Sequence, residues 1–170
     1  RSQNGISPAN RQQVRKEMRE EPFHQFWSAL RRTTQEMMWR ATGECLHHTD
    51  DELHARIDQI RSGDETLKLN PALEAPRYVT AVDIHCMPGN YTTDRIRDDV
   101  SAGAIYDRGV YLYMMGGMGT YNEACGSTLL DHLRLNYPDF KPKRVLDMCC
   151  AVGHSTLPYV DAFPGADVYA

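Results

Sequence analysis

Apolar residues recur every three or four positions through the first sixty residues, which is the spacing of amphipathic helices. Gly43 is predicted to end a first long helix, and Thr49 with Glu52 has capping-box spacing for the next helix. Ser7 followed by Pro8 predicts an earlier helix start. The apolar face of the long helix, about five turns in length, consists of Phe23, Phe26, Trp27, Leu30, Thr34, Met37, Met38 and Ala41.

Beyond residue 62 the helical periodicity stops. Residues 63–76 are polar and are predicted to form a linker. The later elements are predicted as a strand at 78–86, helices at 104–115 and 120–137, a strand at 143–148, a helix at 155–163 and a strand from 167. The last three form a β-loop-α-β unit, whose strands are expected to run parallel. Its loop is expected at the carboxyl edge of the sheet, where α/β proteins bind ligands.

Composition narrows the partners that this chain is expected to have. Hydrophobic residues make up 41% of the 170, and a formal charge of −4 with 25% charged residues is unremarkable. Acidic and basic side chains are interleaved, so nucleic acid is not an expected partner. No apolar run approaches the ~20 residues of a membrane span, so no membrane association is expected. The five cysteines are odd in number, which indicates reduced thiols and a cytoplasmic protein.

Residues 145–156, with the sequence VLDMCCAVGHST, carry the clearest chemical signal. A dinucleotide-binding fingerprint would require glycine where Cys149, Ala151 and His154 stand, so that spacing fails. Small residues instead occupy alternate positions after an acidic residue: Asp147 is followed by Cys149, Ala151 and Gly153. Small side chains let the backbone approach a ligand closely, and the helix that follows contributes unpaired N–H donors.

This segment resembles motif I of class I S-adenosylmethionine-dependent methyltransferases, and the helix before it and the ADVYA segment after it resemble the flanks of that motif. The resemblance implies S-adenosylmethionine as the cofactor, held by Asp147, Cys149, Ala151 and Gly153. It also implies methyl transfer to an O, N or C nucleophile on a small molecule. Cys149 and Ala151 depart from the family pattern, which has glycine at both places.

The resemblance covers residues 120–170 and implies the fold class as well. We expect an α/β protein, with a helical N-terminal region followed by the start of a Rossmann-like methyltransferase domain. The expected boundaries are residues 1–76 for the helical region, 77–118 for a connecting or cap segment, and 119–170 for the first part of the cofactor-binding domain.

Several residues outside the motif are candidates for contacts with the substrate. Histidine exchanges protons near neutral pH, so His85, at the end of a predicted strand, is a candidate general base, and Tyr91 lies in the turn after it. In methyltransferases that the motif resembles, N-terminal helices cap the cofactor pocket. By that analogy, substrate contacts are expected from Tyr106, Asp107, Arg108 and Tyr111.

A metal site is not expected in this chain. Cys149 and Cys150 are adjacent, so their thiols do not easily face one ion together, and no C-x-x-C partner is present for them and His154.

Two alternatives from other classes stay open. One is a truncated or degenerate module that is not an enzyme and serves dimerisation; the other is an NAD(P)-dependent oxidoreductase, which the loop spacing disfavours.

In the family that the motif resembles, an acidic side chain after the second strand holds the ribose of the cofactor, whereas this sequence ends at Ala170. We therefore expect an incomplete enzyme that associates with further polypeptide: a C-terminal part, a second subunit or a second copy in a homo-oligomer.

Overall fold

A computed structural model describes residues 10–61, 68, 70, 72–81, 85–87 and 100–170 of the chain. Helices account for 61% of these residues. In chain order the elements are α1 (Arg11–Arg19), α2 (Pro22–His47), α3 (Asp50–Arg61), α4 (Arg77–Thr80), α5 (Ser101–Tyr113), α6 (Ala124–Asn136), β1 (Arg144–Leu146), α7 (Thr156–Ala162) and β2 (Asp167–Tyr169). The chain divides into two units, one up to Met37 and one from Met38 onward, so the boundary falls inside α2.

The first unit contains α1 and the beginning of α2. Asn10 caps α1, because its side-chain oxygen accepts a hydrogen bond of 3.0 Å from the N–H of Gln13. The predicted start at residues 7 and 8 lies outside the described residues. The apolar face predicted for α2 is exposed in this unit: Phe23 and Trp27 stack on one another with ring centroids 6.5 Å apart, and Phe23 remains 69% exposed.

In the second unit, α2 packs against α5 through a tryptophan. Trp39 is 4% exposed, and a Cβ at Gly109 of α5 would overlap its ring. The indole N–H of Trp39 donates a hydrogen bond of 2.7 Å to the backbone carbonyl of His85. A small residue at 109 therefore lets the two helices approach, while the hydrogen bond satisfies the polar end of the buried ring.

The predicted end of the long helix at Gly43 is wrong, because α2 continues to His47. A glycine inside a helix costs only about 1 kcal/mol relative to alanine, and the surrounding turns outweigh that cost. Thr49 does not form the predicted capping box. Its hydroxyl donates to the carbonyl of Leu46 at 3.1 Å, and α3 begins at Asp50 with acidic residues in its first turn.

The strand predicted at 78–86 is also wrong. Residues 77–80 form the short helix α4 after Pro76, with the N–H of Val79 donating to the Pro76 carbonyl at 2.8 Å. Residues 82–84 of the predicted strand lie outside the described part of the chain. Residues 77–80 pair with no described strand, and their backbone groups form local turn hydrogen bonds instead.

The order of elements predicted for the end of the chain is confirmed. β1 and β2 pair in parallel, with Val145 opposite Val168, and α7 connects them. Beyond the strand ends, the N–H of Asp147 donates to the carbonyl of Tyr169 at 2.8 Å, which extends the pairing by one bond. This places the segment between Asp147 and α7 at the carboxyl edge of the sheet, as the sequence predicts.

The predicted fold class is nevertheless wrong. Within the described residues the sheet consists of two strands of three residues each, and the chain is mostly helical, so a multi-stranded Rossmann-like sheet is not formed there. The sequence pattern predicts one local β-loop-α-β unit, and such a unit does not by itself require further strands. The strands are partly uncovered, since Leu146 and Tyr169 are exposed. None of the described helices combines the length and apolar character that a membrane span requires.

A second glycine positions α6 against the start of α7. A Cβ at Gly126 would lie 3.0 Å from the carbonyl oxygen of Ser155 and 3.2 Å from the ring of Pro158. Leu130, one turn further along α6, is buried. The absence of a side chain at 126 therefore lets α6 contact the residues that begin α7.

Substitution by alanine should change the free energy of unfolding in opposite directions at the helical glycines Gly109 and Gly43. Gly109→Ala adds a methyl that overlaps Trp39, and we expect a loss of about 1–3 kcal/mol in the free energy of unfolding. Gly43→Ala meets only the side chain of Ile105 at 3.9 Å, so we expect a gain of about 0.5–1 kcal/mol. Urea denaturation measures both; equal effects in the two variants would contradict the packing role of Gly109.

Candidate functional site

The segment after β1, which we call the strand-end loop (residues 148–155), has an unusual backbone. Cys149, Ala151 and Gly153 adopt positive φ angles of 64°, 53° and 87°. For the two residues that are not glycine, this left-handed conformation costs roughly 1–2 kcal/mol each. These are the same alternate positions at which the sequence places small residues, and the structure shows that their backbone departs from ordinary helix and strand geometry.

Hydrogen-bond donors are left over in the strand-end loop. Residues 148–149 form a turn, and within the described part of the chain the N–H groups of Cys149, Ala151 and Val152 make no hydrogen bond. The N–H of Gly153 is used inside the loop, donating to the carbonyl of Cys150 at 2.9 Å. Left-handed residues in a turn can direct neighbouring N–H groups toward one side, an arrangement that binds anionic groups. The loop therefore has the donors to bind a carboxylate.

Asp147 connects the end of β1 to the start of α7. Its Oδ2 accepts a hydrogen bond of 2.6 Å from the hydroxyl of Thr156, while its backbone N–H donates to Tyr169. The other carboxylate oxygen, Oδ1, accepts no hydrogen bond from the described residues. Burial raises the pKa of Tyr159 on α7, and the negative charges of Asp147 and Cys125 raise it further. Asp147 thus provides a carboxylate beside the loop, and its Oδ1 is available to accept a hydrogen bond from a ligand.

The far end of the strand-end loop is bonded to α5. Nε2 of His154 lies 2.8 Å from Oδ1 of Asp107, and the two side chains are 18% and 28% exposed. The guanidinium of Arg108 donates to Oδ2 of the same carboxylate at 2.8 Å. Asn122 is buried and donates through Nδ2 to the backbone carbonyl and to Oδ1 of Asp107, at 3.0 and 3.3 Å. The carboxylate of Asp107 is therefore held by three neighbours.

The charge of Asp107 is stabilised by these contacts. Burial alone would raise the pKa of its carboxyl group, but hydrogen bonds from His154 and Arg108 and the positive charges of both outweigh burial. The pKa of Asp107 therefore lies below its ordinary value of 3.8. Beside it, Oδ1 of the buried Asn122 has no hydrogen-bond partner in the described part of the chain.

The structure brings only some of the predicted substrate residues to the strand-end loop. The ring of Tyr106 stacks on His154 with centroids 6.1 Å apart, and Arg108 lies over the ring of Tyr111 at 5.5 Å. His85 is exposed, and its carbonyl accepts from Trp39 of α2. Tyr91 lies outside the described residues. The roles predicted for all five stay predictions.

The pair of Asp107 and His154 is the feature that the sequence reasoning missed. The two residues stand 47 positions apart, so no local spacing connects them. One signal was present: Asp107 and Arg108 are the only charged residues within the otherwise apolar stretch 104–115. A charged pair in an apolar helix indicates a polar contact with another element.

The cysteines offer thiols but no evident metal site. In the part of the chain that the structure describes, no three His, Cys, Asp or Glu side chains are grouped so that they could hold an ion. Cys149 is exposed and Cys150 half-buried, and both are free thiols.

Comparisons of the chain with protein-family models, with curated proteins and with solved structures found no match. Evidence for function therefore comes from the residues and the geometry of the strand-end loop.

Replacing Asp107 should make the free energy of unfolding vary less with pH in the acidic range. A carboxyl with a lowered folded pKa stabilises the fold above its unfolded value of 3.8, and that contribution is lost as pH falls through the folded pKa. We expect Asp107→Asn to be less stable than the wild type at neutral pH, with a difference that narrows below pH 3.8. Urea denaturation across pH measures this. Asp131→Asn, in an exposed pair with Arg134, should show little change at any pH.

We expect Cys149 and Cys150 to be reduced and free of metal. Elemental analysis of protein purified without added metal should give no stoichiometric zinc. Zinc that is present at one equivalent and lost in Cys150→Ser would show the opposite.

Proposed function

We propose that the chain is an S-adenosylmethionine-dependent methyltransferase that acts on a small-molecule O, N or C nucleophile. One observation carries the proposal: the strand-end loop has left-handed residues at Cys149, Ala151 and Gly153 and unsatisfied N–H groups between them, next to a carboxylate with a free oxygen. The motif resemblance in the sequence and this backbone geometry point to the same residues.

The loop complements both charges of an amino-acid group. Its N–H donors suit a carboxylate, and Oδ1 of Asp147 suits an ammonium. S-adenosylmethionine ends in such a zwitterion. A nicotinamide dinucleotide would instead present a pyrophosphate, whose negative charge the carboxylate of Asp147 would repel. The charge pattern therefore favours the methionine-derived cofactor over the dinucleotide.

The cofactor, when bound, supplies a methyl group on sulfonium sulfur that an in-line nucleophile can take. Transfer of this kind requires chiefly that the two reactants are held in line, so the main task of the protein is positioning. The strand-end loop would hold the amino-acid end of the cofactor. On α5, Tyr106 stacks on His154, and Arg108 lies over the ring of Tyr111. We propose that these three side chains contact the acceptor. His85 is retained as the proposed general base for acceptors that must lose a proton.

A dimerisation module that is not an enzyme is a second candidate, which the exposed apolar face of α2 favours. Phe23, Phe26 and Met37 are each more than 60% exposed, and such faces commonly mark protein interfaces. The two candidates differ in a simple measurement, since only the methyltransferase must bind the cofactor. For either function, the free thiols suit a reducing compartment such as the cytoplasm.

Substitution of Gly153 should weaken cofactor binding. Valine is strongly disfavoured at a φ of 87°, so Gly153→Val should change the loop backbone although a Cβ there meets nothing closer than Thr156 at 4.0 Å. We expect the affinity for S-adenosylhomocysteine, measured by isothermal titration calorimetry, to fall at least tenfold, about 1.4 kcal/mol.

Gly165→Val is the matched control, because a Cβ at 165 meets nothing within 4 Å and that residue lies in the turn before β2. It should bind as the wild type does. Titration with NADH in parallel should show no binding. Wild-type affinity in a folded Gly153→Val protein, or binding of NADH alone, would refute the proposed function.

A further inference from the structure

The strand-end loop is attached to the rest of the second unit at both ends. At its start, Asp147 bonds to Tyr169 and to Thr156. At its end, His154 bonds to Asp107 of α5. The strained residues Cys149 and Ala151 lie between these attachments. A strained backbone persists only where its surroundings hold it, so these attachments stabilise the conformation of the loop.

We propose that Asp107 is a positioning residue for the cofactor: through Nε2 of His154, it holds the strand-end loop in the left-handed conformation that binds S-adenosylmethionine. This inference rests on the proposed function, and it adds a residue on α5 that lies outside the motif. It assigns Asp107 no contact with the cofactor and no proton transfer.

The face of α5 that carries Asp107 meets the loop at two places. Gly103 and Asp107 are four residues apart and therefore lie on the same side of α5. A Cβ at Gly103 would be 3.4 Å from Cγ1 of Val152, and Asp107 reaches His154 two residues further along the loop. The helix thus contacts two alternate loop residues, while the left-handed residues at 151 and 153 flank Val152.

The carboxylate of Asp107 is itself oriented by other groups. Arg108 holds one oxygen, and the buried amide of Asn122 donates to the other and to the backbone carbonyl of Asp107. Asn122 also lies 3.5 Å from Nε2 of His154, and Tyr106 stacks on the imidazole ring. Because both the carboxylate of Asp107 and the imidazole of His154 are restrained by neighbours, the hydrogen bond between them can fix the position of the imidazole.

Two substitutions of His154 can test the hydrogen bond that its Nε2 makes with Asp107. Glutamine places an amide nitrogen near the position of Nε2, whereas asparagine places one near the position of Nδ1. His154→Gln can therefore keep the hydrogen bond to Asp107, and His154→Asn cannot. A role for His154 in packing against Tyr106 alone would not distinguish these two variants.

The experiment measures affinity for S-adenosylhomocysteine by isothermal titration calorimetry on the full 170-residue chain. Asp107→Ala and His154→Asn should each bind at least tenfold more weakly than the wild type, about 1.4 kcal/mol, and His154→Gln should stay within about threefold. Asp131→Ala removes the exposed partner of Arg134 on α6 and is the matched control, with unchanged affinity expected.

A second measurement reports the backbone conformation of the strand-end loop in the absence of ligand. The ¹³Cα chemical shift of Ala151 depends on its φ angle, so it should keep its left-handed value in His154→Gln and lose it in Asp107→Ala. Wild-type shift and affinity in Asp107→Ala would overturn this inference and leave the proposed function standing. So would an equal loss of affinity in His154→Gln and His154→Asn. Failure of the wild type to bind S-adenosylhomocysteine would overturn both proposals.

Discussion

The packing of Trp39 against Gly109 is the contact on which the arrangement of the second unit depends. It brings α5 against the last part of α2, and the indole hydrogen bond attaches the backbone of His85 to the same place. Because α5 is located in this way, Asp107, two residues before Gly109, can reach the strand-end loop. A single position without a side chain thus determines where the charged face of α5 lies.

Charge and backbone geometry act together in the strand-end loop. Left-handed residues leave successive N–H groups without internal partners, and this would be unfavourable in a buried segment. The loop residues Cys149, Ala151 and Val152 are exposed, so water or a ligand can take the place of those partners. The carboxylate of Asp147 lies next to these N–H donors and suits a positively charged group. A ligand group that carries both charges would match this combination, and for that reason we propose a zwitterion rather than a phosphate as the ligand.

The predicted fold class is wrong because sequence patterns reflect interactions between neighbouring residues and not between distant strands. Alternation and apolar runs revealed β1, α7 and β2, and their order and parallel pairing are as predicted. Whether such a unit belongs to a larger sheet depends on strands far away in the chain. The segment at 77–80 illustrates this: Tyr78 and Val79 favour a strand by composition, yet in the absence of a described partner strand they form a helical turn after Pro76.

The sequence by itself determined the features that neighbouring residues decide. The three- and four-residue periodicity located α2, α5 and α6, and small residues at 149, 151 and 153 marked the positions where the backbone turns left-handed. Tertiary structure alone decided the meeting of Trp39 with Gly109 and of Asp107 with His154. Helix and turn preferences arise from hydrogen bonds and contacts within about four residues. A pair 47 positions apart forms only when packing brings two elements together, and no local pattern records that.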